Sequence, residues 1–351
     1  MALRNTEVAE LLARAAEEAE GHRARAYASA ARTALLWDEE VSDVVAQGRS
    51  PSELERVGPS LSKRIRRWVE EEPPVPEPPP LRAAFESFAA AKRYLEGRPD
   101  GEIRADLQMH TVFSDGQATV EEMALTGVSR GYEYVAITDH SQGLRIAHGI
   151  DEAELARQGK EIDAFNDRLL AEGVEFRVLK ALEMNIDPDG NGDMDASALG
   201  DLDIVLGSFH SALRRTEDQT GRYLAAIANP YVDVVGHPRG RKYNFRFGLQ
   251  ADWKAVAEAA AHADVALETN AYPNRQDLDI GLLELVRDAG GRVAIGTDAH
   301  NPSEMRFVDI GIAAALKAGV PRDRIVNTLT VEELQEWVEA RRDRALTGRR
   351  A

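Results

Sequence analysis

From Ile103 onward the chain keeps a rhythm that leaves few folds open to it. Short apolar runs (Ile103–Leu107, Tyr134–Thr138, Phe176–Leu182, Ile204–Gly207, Val232–Gly236, Val265–Leu267 and Val293–Gly296) alternate with segments of helical periodicity. The latter include Thr119–Arg130, Glu152–Glu172, Trp253–Ala263 and Gly281–Ala289. Parallel neighbours in a sheet need a long crossover connection, usually a helix, so this alternation predicts an α/β fold with a parallel sheet, open or closed into a barrel.

The residues at the C-terminal ends of the apolar runs are more telling than the runs themselves. Six of the runs lead into a polar residue able to ligate: Thr138-Asp139-His140, Leu182-Glu183, Phe209-His210, Gly236-His237, Glu268-Thr269-Asn270 and Thr297-Asp298-Ala299-His300. The first run leads into Gln108 and His110. In (β/α) barrels the C-terminal ends of the strands surround the active site, so these groups would share one mouth. Residues two apart on a strand face the same side, which pairs Gln108 with His110 and Asp298 with His300 if the extended backbone continues that far. His22, His148 and His262 lack such placement and read as structural.

The chain has no cysteine, so thiolate sites and disulfides are excluded and any metal must sit on imidazole, carboxylate or amide oxygen. That donor set suits Zn²⁺, Mn²⁺ or Fe²⁺, and eight or nine donors imply two or three ions, with Glu183 as a bridge. Clustered cations activate water and neutralise a phosphoryl group, so hydrolysis would need no Ser or Cys nucleophile. A net charge of −17 argues against a protein that coats nucleic acid non-specifically, but not against a phosphate substrate beside bound cations. No apolar stretch is long enough to span a membrane and the N-terminus does not read as a signal peptide, so a cytoplasmic location is expected.

Three regions are expected. Residues 1–70 read as helices, with Val8, Leu11, Leu12 and Ala15 at helical spacing and Leu61, Ile65, Trp68 and Val69 marking the last one. Residues 71–100 hold Pro73–Pro80, an extended spacer, and an amphipathic helix over about Leu81–Leu95. Residues 101–345 form the main domain.

The main domain resembles the polymerase-and-histidinol-phosphatase (PHP) superfamily. The first motif stands here as Asp106-Leu107-Gln108-Met109-His110 through Ser114-Asp115-Gly116, and the later ones as Thr138-Asp139-His140-Ser141, Glu183, Ser208-Phe209-His210, Gly236-His237-Pro238 and Thr297-Asp298-Ala299-His300. The resemblance implies a distorted (β/α)7 barrel with a trinuclear site whose ligands would be Gln108, His110, Asp115, His140, Glu183, His210, His237, Asp298 and His300. Among them Glu183, Asp298 and His300, together with Arg275, are the expected catalytic groups.

Within the superfamily the chain looks most like the PHP domain of bacterial family X DNA polymerases, through Leu267–Leu278, the Ser141–Ile150 loop and Ile325–Leu329. Residues 5–70 resemble the small helix–hairpin–helix domain at the front of those polymerases, with Val57-Gly58-Pro59-Ser60-Leu61 as the hairpin. Gly58, Ser60, Lys63 and Arg64 would then meet a DNA backbone, since amides at a helix N-terminus bind phosphate. Arg56 stands where the first hairpin glycine usually lies. Only the proline spacer and one helix occupy the place of the polymerase palm, so polymerase activity is not expected.

The resemblance implies a metal-dependent phosphoesterase acting on DNA 3′ ends, as a 3′–5′ exonuclease or a 3′-phosphatase or phosphodiesterase of the DNA-repair type. The alternative is a small-molecule phosphatase of the histidinol-phosphatase type, with a small phosphorylated metabolite as substrate. Arg275, and after it Arg239 and Arg241, are the expected phosphate contacts, because a guanidinium fork matches paired phosphate oxygens. Asp139 is read as a supporting carboxylate. Gln108 replaces the more usual His, which tilts the metal preference toward Mn²⁺.

Overall fold

The computed structural model describes residues 2–348. It divides into two compact units: the chain up to Arg98 together with Lys242–Phe247, and Pro99–Arg241 together with the chain from Gly248 onward.

The first unit is helical: α1 (Asn5–Glu17), α2 (Gly21–Ala34), α3 (Val41–Ala46), α4 (Pro59–Glu71) and α5 (Phe88–Leu95). Val8, Leu12, Tyr27, Trp37, Val44 and Ile65 share one buried cluster, which also holds Tyr243. Tyr243 meets Phe85 edge-on, with ring centroids 5.1 Å apart. The sequence carries no sign that Lys242–Phe247 would join this unit. The helix expected from Leu81 begins only at Phe88, where Ser87 caps it by accepting from the Ala90 amide. Upstream, Glu10 and Glu17 draw Arg82 into the interior, and Ala84 takes a left-handed backbone (φ 57°) that no helix continues.

The second unit carries seven strands with their crossover helices: β1 (Ala105–Asp106), α6 (Val120–Ser129), β2 (Tyr134–Ile137), α7 (Glu152–Ala171), β3 (Arg177–Asn185), α8 (Ala196–Gly200), β4 (Ile204–Ser208), α9 (Thr220–Ile227), β5 (Val234–Gly236), α10 (Trp253–Ala263), β6 (Ala266–Asn270), α11 (Ile280–Asp288) and β7 (Arg292–Gly296). Two further helices, α12 (Val308–Lys317) and α13 (Val331–Gly348), complete the unit. The strands pair in sequence order and all in parallel. The two edges of the sheet also meet: the His110 amide donates to Ala299 O at 2.8 Å and the Asp298 amide to Gln108 O at 3.0 Å. This is the (β/α)7 barrel that the resemblance to the PHP superfamily implies.

The barrel interior mixes alanines with larger apolar residues, Tyr134 and Ile204 among them. Ala105, Ala136, Ala181, Ala266 and Ala294 alternate along the strands with Leu107, Leu179, Leu206 and Val234, and Leu334, Trp337 and Val338 of α13 join the same cluster. Small inward residues let few strands close around a packed interior. Among the described residues no helix is long and apolar enough to cross a membrane.

Candidate metal centre

Each strand delivers its donor by local geometry. Ala105 and Leu107 face the interior, whereas Met109 packs outside with Val135 and Ile137. The chain therefore changes face between Leu107 and Met109, and this turns Gln108 and His110 inward, both fully buried. At the end of β7 a simple extended run does not persist. Asp298 adopts φ 55°, after which His300 Nδ1 comes back to 2.7 Å from the Asp298 carbonyl. His237 is also left-handed, at φ 24°. Such conformations cost of order 1–3 kcal/mol and cluster where function demands them.

Glu183, on β3, lies at the middle of the constellation and is wholly buried. Its Oε1 stands 2.7 Å from His237 Nε2 and 3.2 Å from His210 Nε2, and its Oε2 3.1 Å from His140 Nδ1 and 3.4 Å from His110 Nε2. His110 Nε2 is also 3.1 Å from Asp298 Oδ1. Asp115 Oδ1 completes the outer side, 3.4 Å from His300 Nε2 and 3.6 Å from His140 Nε2. Three overlapping groups of donors result: His110, Asp115, His140 and His300; His140, Glu183 and His210; and His110, Glu183 and Asp298. Those groups hold seven of the nine expected ligands, and His237, 2.7 Å from Glu183 Oε1, is an eighth beside them. Gln108 is beside them, but its Oε1 accepts from Asn270 Nδ2 at 3.1 Å.

The donor set fits divalent cations. Both Glu183 oxygens, His110 Nδ1, His140 Nδ1, His210 Nε2, His237 Nδ1 and Asp115 Oδ1 are buried without a hydrogen-bond partner. Native proteins rarely bury polar atoms unpaired, and a concentration of them in one place calls for a ligand. Electrostatics agree. Burial works to raise the Glu183 carboxyl, but His140, His237 and His210 hold it well below the usual carboxylate range. Burial likewise opposes ionisation of Asp298, and Arg275 and His110 hold it far lower. Burial depresses His300, yet Asp115 and Asp298 lift it to about 9. His140 is raised in the same sense by Glu183 against its burial, whereas burial prevails at His210 and lowers it. The carboxylates are thus ready donors, and cation binding at the raised imidazoles releases protons.

A second layer holds these groups in place. Asp139 accepts from the Thr111 amide (2.8 Å), Thr111 Oγ1 (2.6 Å), Ser114 Oγ (2.5 Å) and Gln158 Nε2 (2.5 Å), so it braces the loop from His110 to Asp115. Glu304 takes the His300 amide at 2.8 Å and the Tyr272 hydroxyl at 3.3 Å. The His237 amide donates to Glu268, whose carboxyl burial pushes well above its ordinary value, with the charges of Asp298 and Glu183 adding to the effect. Glu268 and Asn270 went unassigned in the sequence. Their signal is there, since they lie two apart at the end of β6 and so face one side.

Among the expected phosphate contacts, Arg275 is partly exposed beside the donors, with Nε 2.9 Å from Asp298 Oδ2. Arg239 and Arg241 are placed differently. Both are buried, with Nη1 at 2.8 and 3.2 Å from Asp279 Oδ2, so a phosphate would have to displace a carboxylate to reach either fork. In the helical unit Gly58 is the N-cap of α4, and Gly58, Ser60 and Lys63 are exposed. Arg64 instead lies over the Tyr27 and Trp68 rings, 5.1 and 5.2 Å from their centroids, and donates to the Tyr27 hydroxyl. Arg56 takes a left-handed φ of 58°, the conformation that explains a glycine preference at that place.

The chain is similar to several known proteins. The family model described as PHP domain matches residues 106–272. The DNA polymerase/3′-5′ exonuclease PolX of Bacillus subtilis (strain 168) is 36% identical over 263 residues, 75% of this chain and 45% of that protein. The chain thus spans less than half of that relative's length. A protein named "Probable phosphatase YcdX" from Shigella dysenteriae serotype 1 (strain Sd197) is 30% identical over 67% of this chain and 94% of its own length. A solved structure of histidinol phosphate phosphatase from Lactococcus lactis, complexed with zinc, L-histidinol and phosphate, superposes with a TM-score of 0.45 at 15% identity, over 62% of this chain and 94% of that one.

Proposed function

The chain belongs to the PHP domain family and carries a metal-dependent phosphoesterase centre, and from that premise we propose that it hydrolyses phosphoesters at DNA 3′ ends. The observation that carries the chemistry is Glu183, buried among four imidazoles with neither oxygen hydrogen-bonded. His110, Asp115, His140, Glu183, His210, His237, Asp298 and His300 would hold the cations. When bound, divalent cations supply Lewis acidity to a phosphoryl group and bring water to nucleophilic strength near neutral pH. Glu183 belongs to two of the donor groups, and the pairing of His110 with two carboxylates, Glu183 and Asp298, would favour a hard ion such as Mn²⁺.

The chain's own residues would do the rest. Arg275, partly exposed beside Asp298, would orient a phosphate by its free edge and offset the charge that develops on it. Asp139 and Glu304 keep the loop from His110 to Asp115 and the His300 backbone in position, so that donors meet a substrate without rearranging. DNA is favoured as the substrate by the helix–hairpin–helix-like segment from α3 to α4, whose exposed N-cap Gly58 and Ser60 can offer amides to a backbone phosphate. The extent of identity to the PolX relative supports the same reading. A cytoplasmic location belongs to this proposal. A small phosphorylated metabolite is the second reading, favoured by the coverage of a probable phosphatase across nearly its full length.

The test compares hydrolysis of 3′-recessed DNA, 3′-phosphorylated DNA and histidinol phosphate, each with Mn²⁺ and with Zn²⁺. Turnover of one or both DNA substrates is expected, fastest with Mn²⁺. Turnover of histidinol phosphate alone would replace this reading with the second.

A further inference from the structure

The side chain of Asn270 sits at the end of β6 with each of its polar atoms engaged. Its Oδ1 accepts from the Tyr272 amide at 3.0 Å. A backbone amide only donates, so the atom facing it must be the carboxamide oxygen, and Nδ2 is thereby turned the other way. There it has two acceptors, Gln108 Oε1 at 3.1 Å and Asp298 Oδ2 at 3.2 Å. Gln108 is therefore orientated too, because the opposite placement would set two NH₂ groups against each other. Its oxygen points to Asn270 and lies against Gly296, where an added β-carbon would stand 3.0 Å from it. Its Nε2 is buried and has no hydrogen-bond partner. The Asp298 oxygen that meets Asn270 is also the one that Arg275 holds, which leaves Oδ1 toward His110.

We infer that Gln108 is not a metal ligand, and that Asn270 is a positioning residue which turns the Gln108 oxygen away from the centre and aims Asp298 into it. The inference rests on the proposed metal-dependent function. An amide nitrogen has no lone pair to give a cation, so the first-motif position contributes a hydrogen-bond donor where an imidazole would contribute a ligand. Among the imidazoles and carboxylates of the described residues, the adjoining cation position is then bounded by His110, Glu183 and Asp298. Asn270, through Asp298, affects that position more than Gln108 does, although Gln108 occupies the motif.

The test is Mn²⁺ titrated calorimetrically into the metal-stripped full chain, with bound manganese counted by mass spectrometry after gel filtration. Gln108→Met, of similar volume and without an NH₂ or C=O group, is expected to bind as many ions as the unaltered chain, with each affinity within about twofold. Asn270→Ala is expected to weaken one ion by about 10–100-fold, the range for losing a group that orients a ligand. Gln108→His, which supplies an imidazole, is expected to tighten one ion by tenfold or more. Loss of one ion or a tenfold weakening in Gln108→Met would overturn the inference and leave the metal-dependent function standing. If the unaltered chain bound no manganese or zinc at all, that function itself would fall, and the inference with it. Circular dichroism of each variant separates a binding effect from misfolding.

Discussion

In the helical unit Arg82 is buried with its Nε 2.7 Å from Glu10 Oε2, its Nη1 2.6 Å from Glu17 Oε1 and 3.0 Å from Asn244 Oδ1. Glu40, just before α3, is buried too, and its oxygens accept from the Asn5 amide (2.6 Å) and Ser87 Oγ (3.2 Å). In the barrel Glu183 is just as deeply buried, yet neither oxygen accepts a hydrogen bond, and imidazole nitrogens around it are left in the same state. Burial of charge alone therefore says little. A buried charge whose hydrogen bonds are all made is part of the architecture, whereas a group of buried donors that cannot satisfy one another is shaped for something else.

The comparison can be broken at four places. The largest effect is expected in the barrel: His210→Ala and Asp298→Ala should each lower kcat/KM by about a thousandfold, since cation stabilisation of a phosphoryl transition state is worth several kcal/mol. Full activity in either variant, with Mn²⁺ supplied, would remove that residue from the ligand set. In the helical unit Arg82→Ala should cost about 1.5–3 kcal/mol of stability, since Glu10 loses the Arg82 fork but keeps Arg14, whose Nε lies 2.7 Å from its Oε1. Bound metal should not change in that variant, and chemical denaturation together with metal counting checks both halves. If Arg82→Ala lost metal as well, the division between architecture and site would be wrong.

Two smaller effects concern the helical unit alone. Arg56→Gly should raise its stability by about 0.5–1 kcal/mol, because a left-handed φ costs an L-residue more than glycine loses in chain entropy. A fall in the unfolding midpoint would mean that the Arg56 side chain holds the hairpin together. Burial pushes the Glu40 carboxyl above its ordinary 4.5, only partly offset by the Asn5 and Ser87 hydrogen bonds. Its contribution to stability is thus complete below about that pH and is lost as the pH rises through the folded-state value. Glu40→Gln should flatten this slope in urea unfolding measured across that window, whereas an unchanged slope would assign it to another group.

Much of the site was legible in the sequence. Strand–helix alternation in a parallel sheet, and the candidates His110, His140, Glu183, His210, His237 and Asp298 at the run ends, were legible from where polar residues interrupt apolar runs; closure into a seven-stranded barrel was implied by the family resemblance, and the structure bears it out. Strand ends in a barrel face one mouth whatever lies between them, so linear position is enough. The change of face between Leu107 and Met109, and the left-handed turn at Asp298, were not legible. Both depend on hydrogen bonds between β1 and β7, which lie at opposite ends of the barrel sequence.

The arginines divide along the same line. Sequence put Arg275 ahead of Arg239 and Arg241 as a phosphate contact, all three close behind a strand end, and only the fold gave Asp279 to the latter two and the Asp298 carboxylate to Arg275. By itself the sequence determined the chemistry available, since residue types and their period decide which donors share a mouth. Tertiary structure decided which of those donors remain free. An ion pair or an amide's orientation is fixed by partners far apart in the chain, as Asn270 and Gln108 are, and periodicity carries no record of them.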